Sequence, residues 1–433
     1  SGSDRALDQG RTGAKCDFLR GQGIALFPQD GSGSNDPRTV VVASAAVENT
    51  IPDVAKAHSI GATLMLRAEL LAQLFNASAR SIGVAGTSGK STTTAMIGWT
   101  LHALGRDPTV MNGAVMKNFA TPDAPFASAL VGDSDLFVAE VDESDGSIAR
   151  YTPHIAVVNN ISLDHKSMDE LRKLFTDFVA KAKVAVLNLD NAETAALAGT
   201  VKNAPITYSL SHVSADLFAW NIAPRPDGID FELRTEGKTL LVRLQVPGRH
   251  NVSNAMAALG AVKAAGVPLE DAVDALSRFA GIRRRLEIAG SANGVTVIDD
   301  FAHNPDKIAA TLATLHDFPG RLLLMFQPQG FGPLRMMKNE FIRCFAENLE
   351  ADDVLLMPEP VYFGGTTDRS VSSPDIVDGV MRAGHHAFAL KDRAACGEKL
   401  LALAAPGDRI VIMGARDDTL SDFANTLVAE LGR

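Results

Sequence analysis

The sequence of 433 residues has few of the features that mark secreted, membrane or nucleic-acid-binding proteins. Its three cysteines, Cys16, Cys344 and Cys396, lie far apart without a Cys-x-x-Cys pair, which argues against a disulfide framework or a zinc site. No apolar run approaches the roughly 18 residues that a membrane span needs. With 41 basic and 51 acidic residues the net charge is −10, and no Lys/Arg run occurs. Nucleic acid and anionic membrane are therefore poor candidate partners.

The composition is that of an ordinary globular protein, with 46% apolar and 21% charged residues. The length predicts about three domains. The cysteine usage fits a reducing compartment, so we expect a cytoplasmic protein. The chain opens on Ser1-Gly2-Ser3-Asp4 without Met, from which we expect a processed, trimmed or renumbered start.

Short apolar runs alternate with helical patterns along most of the chain, which predicts α/β layers with right-handed crossovers. Between residues 207 and 246 the pattern favours β structure alone. The predicted strands are 39–44, 82–86, 136–140, 155–160, 184–187, 295–299, 322–326, 353–357 and 409–413. The predicted helices are 53–58, 68–75, 91–104, 168–182, 252–265, 305–315, 337–349 and 421–431.

A glycine turn between a predicted strand and a predicted helix has the composition of a phosphate-binding loop. Its glycines let successive backbone N–H groups point at phosphate oxygens, and the helix N-terminus adds positive potential. Lys90 would reach the β- and γ-phosphates and the Ser91 hydroxyl would bind Mg²⁺. The strict pattern places a glycine where Val84 stands, so this is a shortened variant. The candidate loop residues are Gly86, Thr87, Ser88, Gly89, Lys90, Ser91 and Thr92.

Acidic residues and a histidine follow the next predicted strands. Residues 140–145 read Glu-Val-Asp-Glu-Ser-Asp, and His165 closes the segment 159–165. Ligands bind at the carboxyl ends of parallel strands, and Mg²⁺ prefers hard oxygen ligands. Taken alone, the acidic segment is also typical of a solvated turn. The position of His165 at a third strand end favours a functional role.

Three further segments could contact a nucleotide. Asn251 and Asn254 near the start of a helix could pair with adenine, or Asn251 could simply cap that helix, and the residues do not separate these readings. An arginine of 283–285 could clamp a phosphoryl group, unless this is a basic surface turn. The segment 299–305 could contact ribose or substrate, or Asn304 could cap a helix whose first residue is Pro305.

Taken in order, these segments resemble the Mur ligase family of ATP-dependent amide-bond-forming enzymes, in particular its muramate-adding branch. The matching segments are GTSGKSTTT at 86–94, EVDESD at 140–145, NISLDH at 160–165, GRHNVSNA at 248–255, RRLE at 284–287 and DDFAHNP at 299–305. The SGSD start, residues 40–46 and residues 67–71 are similar to the N-terminal domain of that branch.

The resemblance implies an α/β fold of three domains. These are a truncated Rossmann-like UDP-sugar-binding domain (1–77), a central P-loop ATPase-like parallel sheet (78–283) and a C-terminal Rossmann-like domain that binds the amino acid (284–433). It implies an enzyme that phosphorylates the carboxylate of a UDP-N-acetylmuramate-type substrate and lets the amine of an amino acid or peptide attack. L-Alanine is the first expectation, ATP and Mg²⁺ are the implied cofactors, and a monomer or homodimer is expected.

The resemblance also implies roles for single residues. Lys90 contacts the phosphates, Ser91 and Glu143 hold a first Mg²⁺, and His165 holds a second. The remaining roles are adenine recognition by Asn251 and Asn254 beside His250, γ-phosphate contact by Arg285, ribose contact by Asp300 and substrate approach by His303. The implied catalytic set is Lys90, His165, Arg285 and His303.

Three departures keep other acceptors open. The glycine loop that the branch places ahead of SGSD is not in the sequence, and Phe175 stands where sister ligases carry a carbamylated lysine, which the muramate branch also lacks. Gly330 and Pro333 stand where the alanine-adding enzymes have arginines, with Arg335 or Lys338 as substitutes. The alternatives are a cyanophycin-type, polyglutamate-type or secondary-metabolite ligase, or a non-catalytic nucleotide-binding partner.

Overall fold

The structure is a computed structural model that describes residues 14–45, 47–163, 166–225, 228–360, 368–415, 417 and 419–433. Its first part contains a parallel two-stranded sheet in which β1 pairs with β2. Pro52 begins the helix between these strands and Gly61 ends it in the left-handed conformation, at φ +71°. The elements are α1 (Ala14–Gly21), β1 (Val40–Ala43), α2 (Pro52–Ile60), β2 (Thr63–Leu66) and α3 (Arg67–Ala77).

The next part of the chain builds a sheet of ten strands in the order β12-β11-β10-β9-β8-β7-β3-β6-β4-β5. Its strands are β3 (Arg80–Ala85), β4 (Thr109–Met111), β5 (Ala129–Leu130), β6 (Leu136–Glu140), β7 (Ile155–Val158), β8 (Val184–Asn188), β9 (Ile206–Ser209), β10 (Leu217–Arg225), β11 (Gly228–Thr235) and β12 (Lys238–Leu244). Its helices are α4 (Lys90–Ala103), α5 (Met168–Lys181), α6 (Ala192–Ala196), α7 (Arg249–Ala264) and α8 (Leu269–Leu276).

Strand β3 lies at the point where the order of the strands in this sheet reverses. It pairs in parallel with β6 on one side and with β7 on the other, although β6 and β7 follow one another in the chain. Five of its six residues are buried, as expected for a central parallel strand covered on both faces. The crevice at the carboxyl end of such a strand is where doubly wound sheets bind ligands. The glycine turn predicted from the sequence follows β3 directly.

The last part of the chain forms a six-stranded sheet in the order β13-β14-β18-β15-β16-β17. Only β13 runs antiparallel to its neighbour. The strands are β13 (Glu287–Ala292), β14 (Val295–Asp300), β15 (Leu322–Phe326), β16 (Val354–Pro358), β17 (His386–Leu390) and β18 (Arg409–Met413). The helices are α9 (Pro305–Leu315), α10 (Phe331–Met336), α11 (Lys338–Asn348), α12 (Ser373–Arg382), α13 (Arg393–Leu403) and α14 (Thr419–Leu431).

Helices cover both faces of this last sheet and create two apolar cores. One core joins the sheet to α9, α11 and α12 through residues such as Leu312, Phe345 and Ile376. The other joins it to α13 and α14 through Leu400 and Leu420. The two cores leave the carboxyl ends of the parallel strands as the place where polar side chains gather.

The chain divides into two compact units. One comprises Ser1–Asn221, Phe231–Val242 and Ser253–Phe279, and the other comprises Ile222–Asp230, Arg243–Val252 and Ala280–Arg433. The alternation of strands and helices predicted from the sequence is confirmed. Within the described ranges, no helix is both long enough and apolar enough to cross a membrane. Cys16, Cys344 and Cys396 are buried, and no disulfide joins any two of them.

Candidate active site

The turn after β3 has a backbone that only glycine tolerates at two positions. Gly86 and Gly89 have φ values of +140° and +81°. A Cβ atom on Gly89 would lie 2.3 Å from Asn254 Oδ1 and 2.8 Å from Asn159 Nδ2. Side chains of two other segments thus close around Gly89 and leave no space for a Cβ atom at this position. Helix α4 begins at the next residue, with Ser91 and Thr92 in its first turn.

Lys90 forms a buried ion pair with Glu143. Its Nζ donates to Glu143 Oε2 at 2.9 Å, to Glu143 Oε1 at 3.2 Å and to the Gly86 carbonyl at 2.8 Å. The two side chains are 14% and 4% exposed. Burial raises the pKa of Glu143, and the Lys90 ammonium opposes part of that rise. The two side chains that the sequence assigns to one nucleotide site are thus in direct contact, and their roles stay predictions.

Two asparagines that follow β7 hold the turn and the start of α4 by hydrogen bonds. Asn160 Oδ1 accepts from the Ser88 N–H at 2.9 Å and from the Thr87 hydroxyl at 2.7 Å. Asn159 Nδ2 donates to the Thr93 hydroxyl at 2.9 Å. Asn159 Oδ1 is buried, and the described part of the chain offers it no hydrogen-bond partner. A buried amide oxygen left without a partner beside a phosphate loop marks a place where a ligand or water can donate.

The structure adds a second carboxylate at the same strand ends. Glu140 is the last residue of β6, and its Oε2 accepts from the Gly113 N–H at 2.9 Å. The neighbouring Asn112 donates through Nδ2 to the carbonyl oxygen of Ser91 at 3.1 Å. The turn at 112–113 thereby links Glu140 to the first turn of α4. The family resemblance points to Glu143 in this acidic segment, whereas the position of Glu140 at the strand end is the sequence signal for the second carboxylate.

The donor set near Ser91 suits Mg²⁺ better than a transition metal. It comprises a hydroxyl and the carboxylates of Glu140 and Glu143, which are hard oxygen ligands of the kind that leave room for water. Among the described residues, no group of three or more His, Cys, Asp or Glu side chains is arranged to enclose a metal. His165, the third predicted ligand, lies outside the described residues.

The residues predicted to read adenine have separate local partners. Asn254 Oδ1 accepts from the Thr93 hydroxyl at 3.4 Å, which places this side chain against the phosphate loop. In the second unit, Asn251 donates through Nδ2 to the Pro247 carbonyl at 2.7 Å. Helix α7 begins at Arg249, so Asn251 stands inside its first turn and the N-cap reading was wrong. His250 is exposed.

The segment after β14 is tightly bonded within the second unit. Asp300 is buried; its Oδ2 accepts from the Leu286 N–H at 2.7 Å and its Oδ1 from the Ala302 N–H at 2.7 Å. His303 Nδ1 lies 2.8 Å from the Phe301 carbonyl oxygen. Asn304 caps α9, accepting from the Lys307 N–H at 3.0 Å, with Pro305 as the first helical residue. The capping interpretation of Asn304 is confirmed, and the ribose contact of Asp300 stays a prediction.

The cations suggested as substitutes for the absent arginines are both paired. Arg335 forms an ion pair with Asp368. Lys338 Nζ donates to Asp375 Oδ1 at 2.9 Å. Beyond the end of β15, the Gln327 side chain accepts from Arg393 Nε at 3.0 Å.

Comparison with known families and proteins agrees with this geometry. Residues 84–262 match the Mur ligase middle domain, and residues 284–416 match the family model described as Mur ligase, glutamate ligase domain. The chain belongs to the Mur ligase family. It is therefore an ATP-dependent ligase that forms amide bonds, as the segments from the phosphate loop to DDFAHNP predicted. Phe175 is fully buried in the core.

Similar proteins cover almost the whole chain. A UDP-N-acetylmuramate–L-alanine ligase of Agrobacterium fabrum is 33% identical over 99% of this chain and 91% of its own length. A UDP-N-acetylmuramate–L-alanine ligase of Sorangium cellulosum is 36% identical over 87% of this chain and 81% of its own.

Solved structures show the same fold. The UDP-N-acetylmuramate–alanine ligase of Thermotoga maritima aligns with a TM-score of 0.78 at 22% identity, over 98% of this chain and 94% of that one. A murein peptide ligase of Psychrobacter arcticus aligns with a TM-score of 0.68 at 24% identity, over 96% and 91%. The α/β three-domain Mur ligase architecture expected from the sequence is thereby confirmed.

Proposed function

We propose that this Mur ligase joins the carboxylate of UDP-N-acetylmuramate to the amino group of L-alanine, in the cytoplasm, as a step of peptidoglycan biosynthesis. The observation that carries the proposal is the buried Lys90–Glu143 pair at the Gly86–Gly89 turn, in a chain similar over 99% of its length to an enzyme of that name. The turn supplies the phosphate-binding part, and the similarity supplies the substrates.

The first chemical step is phosphoryl transfer to the substrate carboxylate. A carboxylate oxygen attacks the γ-phosphorus of ATP, the bond to the β-phosphate oxygen breaks, and ADP leaves. Two anions must approach one another, so the barrier falls when cations neutralise them. We assign Lys90 and the N–H groups of the turn to the phosphates and Arg285 to the γ-phosphate.

The second step is attack of the amine on the acyl phosphate. The nitrogen forms a bond to the acyl carbon, inorganic phosphate leaves, and the nitrogen loses a proton. Exclusion of water is essential here because water would hydrolyse the intermediate. We assign His303 to the segment that approaches the substrate and Asn251, Asn254, His250 and Asp300 to the nucleoside.

We assign Ser91, Glu143 and His165 to Mg²⁺ and add Glu140 as a further candidate. When bound, the metal would neutralise charge on the phosphoryl oxygens. The hydroxyl-and-carboxylate donor set supports this assignment. We also propose domain boundaries at 77/78 and 283/284, which the match beginning at residue 284 supports, and a monomer or homodimer in solution.

The test of this function is product formation by the full-length protein. ATP, Mg²⁺ and UDP-N-acetylmuramate are incubated with single amino acids, phosphate release is followed, and the product is weighed by mass spectrometry. We expect release to require both UDP-N-acetylmuramate and L-alanine, with a product equal to their sum less one water. Lys90→Ala serves as the inactive variant, and Lys173→Ala, on the exposed side of α5, as its matched control.

A second candidate keeps the chemistry and changes the acceptor. A cavity of about 760 Å³ borders Gln327 and carries Lys391 and Arg393 together with Glu359 and Glu398. Charges of both signs in a space much larger than alanine suit a larger amino acid or a peptide. The pairing of Arg335 and Lys338 supports the same reading. Release with peptides, or with acceptors other than L-alanine, would favour it; ATP binding without any release would favour a non-catalytic partner.

A further inference from the structure

The RRLE turn at 284–287 has an unusual backbone on both sides of Arg285. Arg284 has a φ of +59° and Leu286 a φ of +49°. Residues other than glycine rarely adopt the left-handed region, because it strains a residue that carries a Cβ atom. Such a conformation persists only where the surrounding structure holds it in place. Two of them flanking one arginine indicate that the direction of that arginine is fixed.

Backbone hydrogen bonds hold the turn from three directions. The Arg284 N–H donates to Glu287 Oε2 at 2.9 Å. The Leu286 N–H donates to Asp300 Oδ2 at 2.7 Å, and the Phe301 N–H donates to the Arg284 carbonyl at 2.8 Å. The residues before and after Arg285 are thus tied to β14 and the segment that follows it.

The Arg284 side chain adds a second layer of attachment. It is only 7% exposed. Its Nη2 donates to the Gly414 carbonyl at 2.7 Å, its Nη1 to the Asp417 carbonyl at 3.0 Å, and its Nε to Asp299 Oδ1 at 3.3 Å. A guanidinium holds its N–H donors in one rigid plane, whereas the three donors of a lysine ammonium rotate about a flexible stem. Arg284 therefore joins the turn to the loop after β18.

Asp417 has a second attachment, through its side chain. Arg393 forms an ion pair with the Asp417 carboxylate, which also accepts from Gln327 Nε2 at 3.0 Å. The Asp417 backbone carbonyl accepts a hydrogen bond from Arg284, and the Asp417 carboxylate accepts one from Arg393. Asp417 is consequently fixed through both its backbone and its side chain, and it supports the turn.

Arg285 lies between these attachments and has a different environment. It is half-buried, and its guanidinium carbon lies 4.5 Å from the centre of the Phe301 ring. This stacking orients the guanidinium plane while leaving its edges for hydrogen bonds. Phe301 is itself fixed, because its N–H is bonded to the Arg284 carbonyl.

We propose that Arg284 is a positioning residue: it fixes the turn and the Phe301 ring, and thereby directs the Arg285 guanidinium to the γ-phosphate. The inference rests on the proposed function only for the assignment of Arg285 to that phosphate. ADP lacks the γ-phosphate, so loss of positioning must weaken ATP and leave ADP binding unchanged. A purely structural role for Arg284 would weaken both nucleotides together.

The experiment measures ATP and ADP affinities of the full-length protein by calorimetry with Mg²⁺ and without acceptor, followed by kcat and KM for ATP. The variants are Arg284→Lys, Arg285→Gln, their combination, and Phe301→Leu in case Arg284→Lys does not fold. Arg283→Gln is the control, because Arg283 is exposed on the same turn. We expect Arg284→Lys and Phe301→Leu to lower the ATP/ADP affinity ratio and to lower kcat about 10- to 100-fold. The combination should be no worse than Arg285→Gln alone.

Two results overturn the inference. One is a wild-type ATP/ADP ratio in folded Arg284→Lys or, if that variant is unfolded, in Phe301→Leu. The other is a double variant in which the two losses multiply. The affinity ratio does not depend on the acceptor, so an inactive wild-type protein refutes the proposed function without deciding this inference, which the ratio then decides.

Discussion

Lys90 Nζ lies 2.9 Å from Glu143 Oε2, although 53 residues separate the two in the chain. Both oxygens of the carboxylate accept from this ammonium, and the pair is buried. If Lys90 turned to a phosphate, as we propose, Glu143 would need another cation, and a divalent metal bound with the nucleotide would supply one. The contact thus supports our assignment of the two residues to one site.

Removal of the Lys90 charge should affect both turnover and stability. We expect Lys90→Ala to lower turnover at least about 10²- to 10³-fold, because a cation at the transferring phosphoryl group is lost. The unpaired, buried Glu143 should also destabilise the fold by roughly 3–5 kcal/mol at neutral pH. Burial already raises the pKa of Glu143, and loss of the lysine raises it further. Since a raised carboxyl pKa withdraws stability as pH rises, the melting-temperature gap to the wild type should widen from pH 5 to pH 8.

The double variant Lys90→Ala/Glu143→Gln is the control for this pH dependence. With no carboxylate at position 143, its melting temperature should lack the extra loss that Lys90→Ala shows between pH 5 and pH 8. A constant gap for Lys90→Ala across this range would contradict the ion-pair account, and retained turnover would contradict the phosphate-loop assignment.

A magnesium titration tests each residue that we assign to Mg²⁺. We expect Glu140→Gln, Glu143→Gln and His165→Ala each to raise the Mg²⁺ concentration for half-maximal turnover by about tenfold or more. Asp142→Asn is the matched control, because Asp142 is exposed and lies in the same segment. A variant whose titration overlays that of Asp142→Asn removes its residue from the metal shell.

Gly89 should be irreplaceable, for two separable reasons. Its φ is +81°, and a Cβ would lie 2.3 Å from Asn254 Oδ1. We expect Gly89→Ala to abolish ATP binding and to destabilise the protein by more than the roughly 1–2 kcal/mol of the left-handed conformation alone. Gly105→Ala measures that smaller cost, because Gly105 has a φ of +68° with no atom within 4 Å of its Cβ position. Equal melting temperatures for the two variants would contradict the close approach of Asn254.

Asp417 should make the second unit sensitive to acid. Burial by itself raises the pKa of Asp417, but hydrogen bonds from Thr419 and Gln327 and the Arg393 charge outweigh it and lower this pKa to about 2. The ionised form is therefore favoured by the fold, and its stabilisation, on the order of 2 kcal/mol, is lost as pH falls from about 4 towards 2. Asp417→Asn should be less stable than wild type at pH 7 and should lose less stability across that range. Parallel pH profiles from denaturant unfolding would refute this.

Local signals in the sequence carried the phosphate loop. The sequence pattern around the turn shows a buried strand, then glycines, then a helix that starts at Lys90. Such patterns can be read locally, because the conformational freedom of glycine and the periodicity of a helix act over a few positions. The capping of α9 by Asn304 was predictable for the same reason. The helices of 373–403 were not predicted, although Ser372 and Asp375 form a capping box at the start of α12 and Asp392 caps α13. Strand β17 alternates buried and exposed residues only at its first three positions.

What amino-acid order alone could establish was the family, the alternation of strands and helices and the residue types at each strand end. Which of those residues meet depended on strand order, because β6 and β7 flank β3 and bring Glu143 and Asn160 to one turn from distant positions. Likewise, Arg284 reaches Gly414 and Asp417 only because β18 inserts beside β14. Short-range propensities act between neighbours in sequence. These contacts, in contrast, form only once long-range strand pairing has placed the ends of the strands side by side.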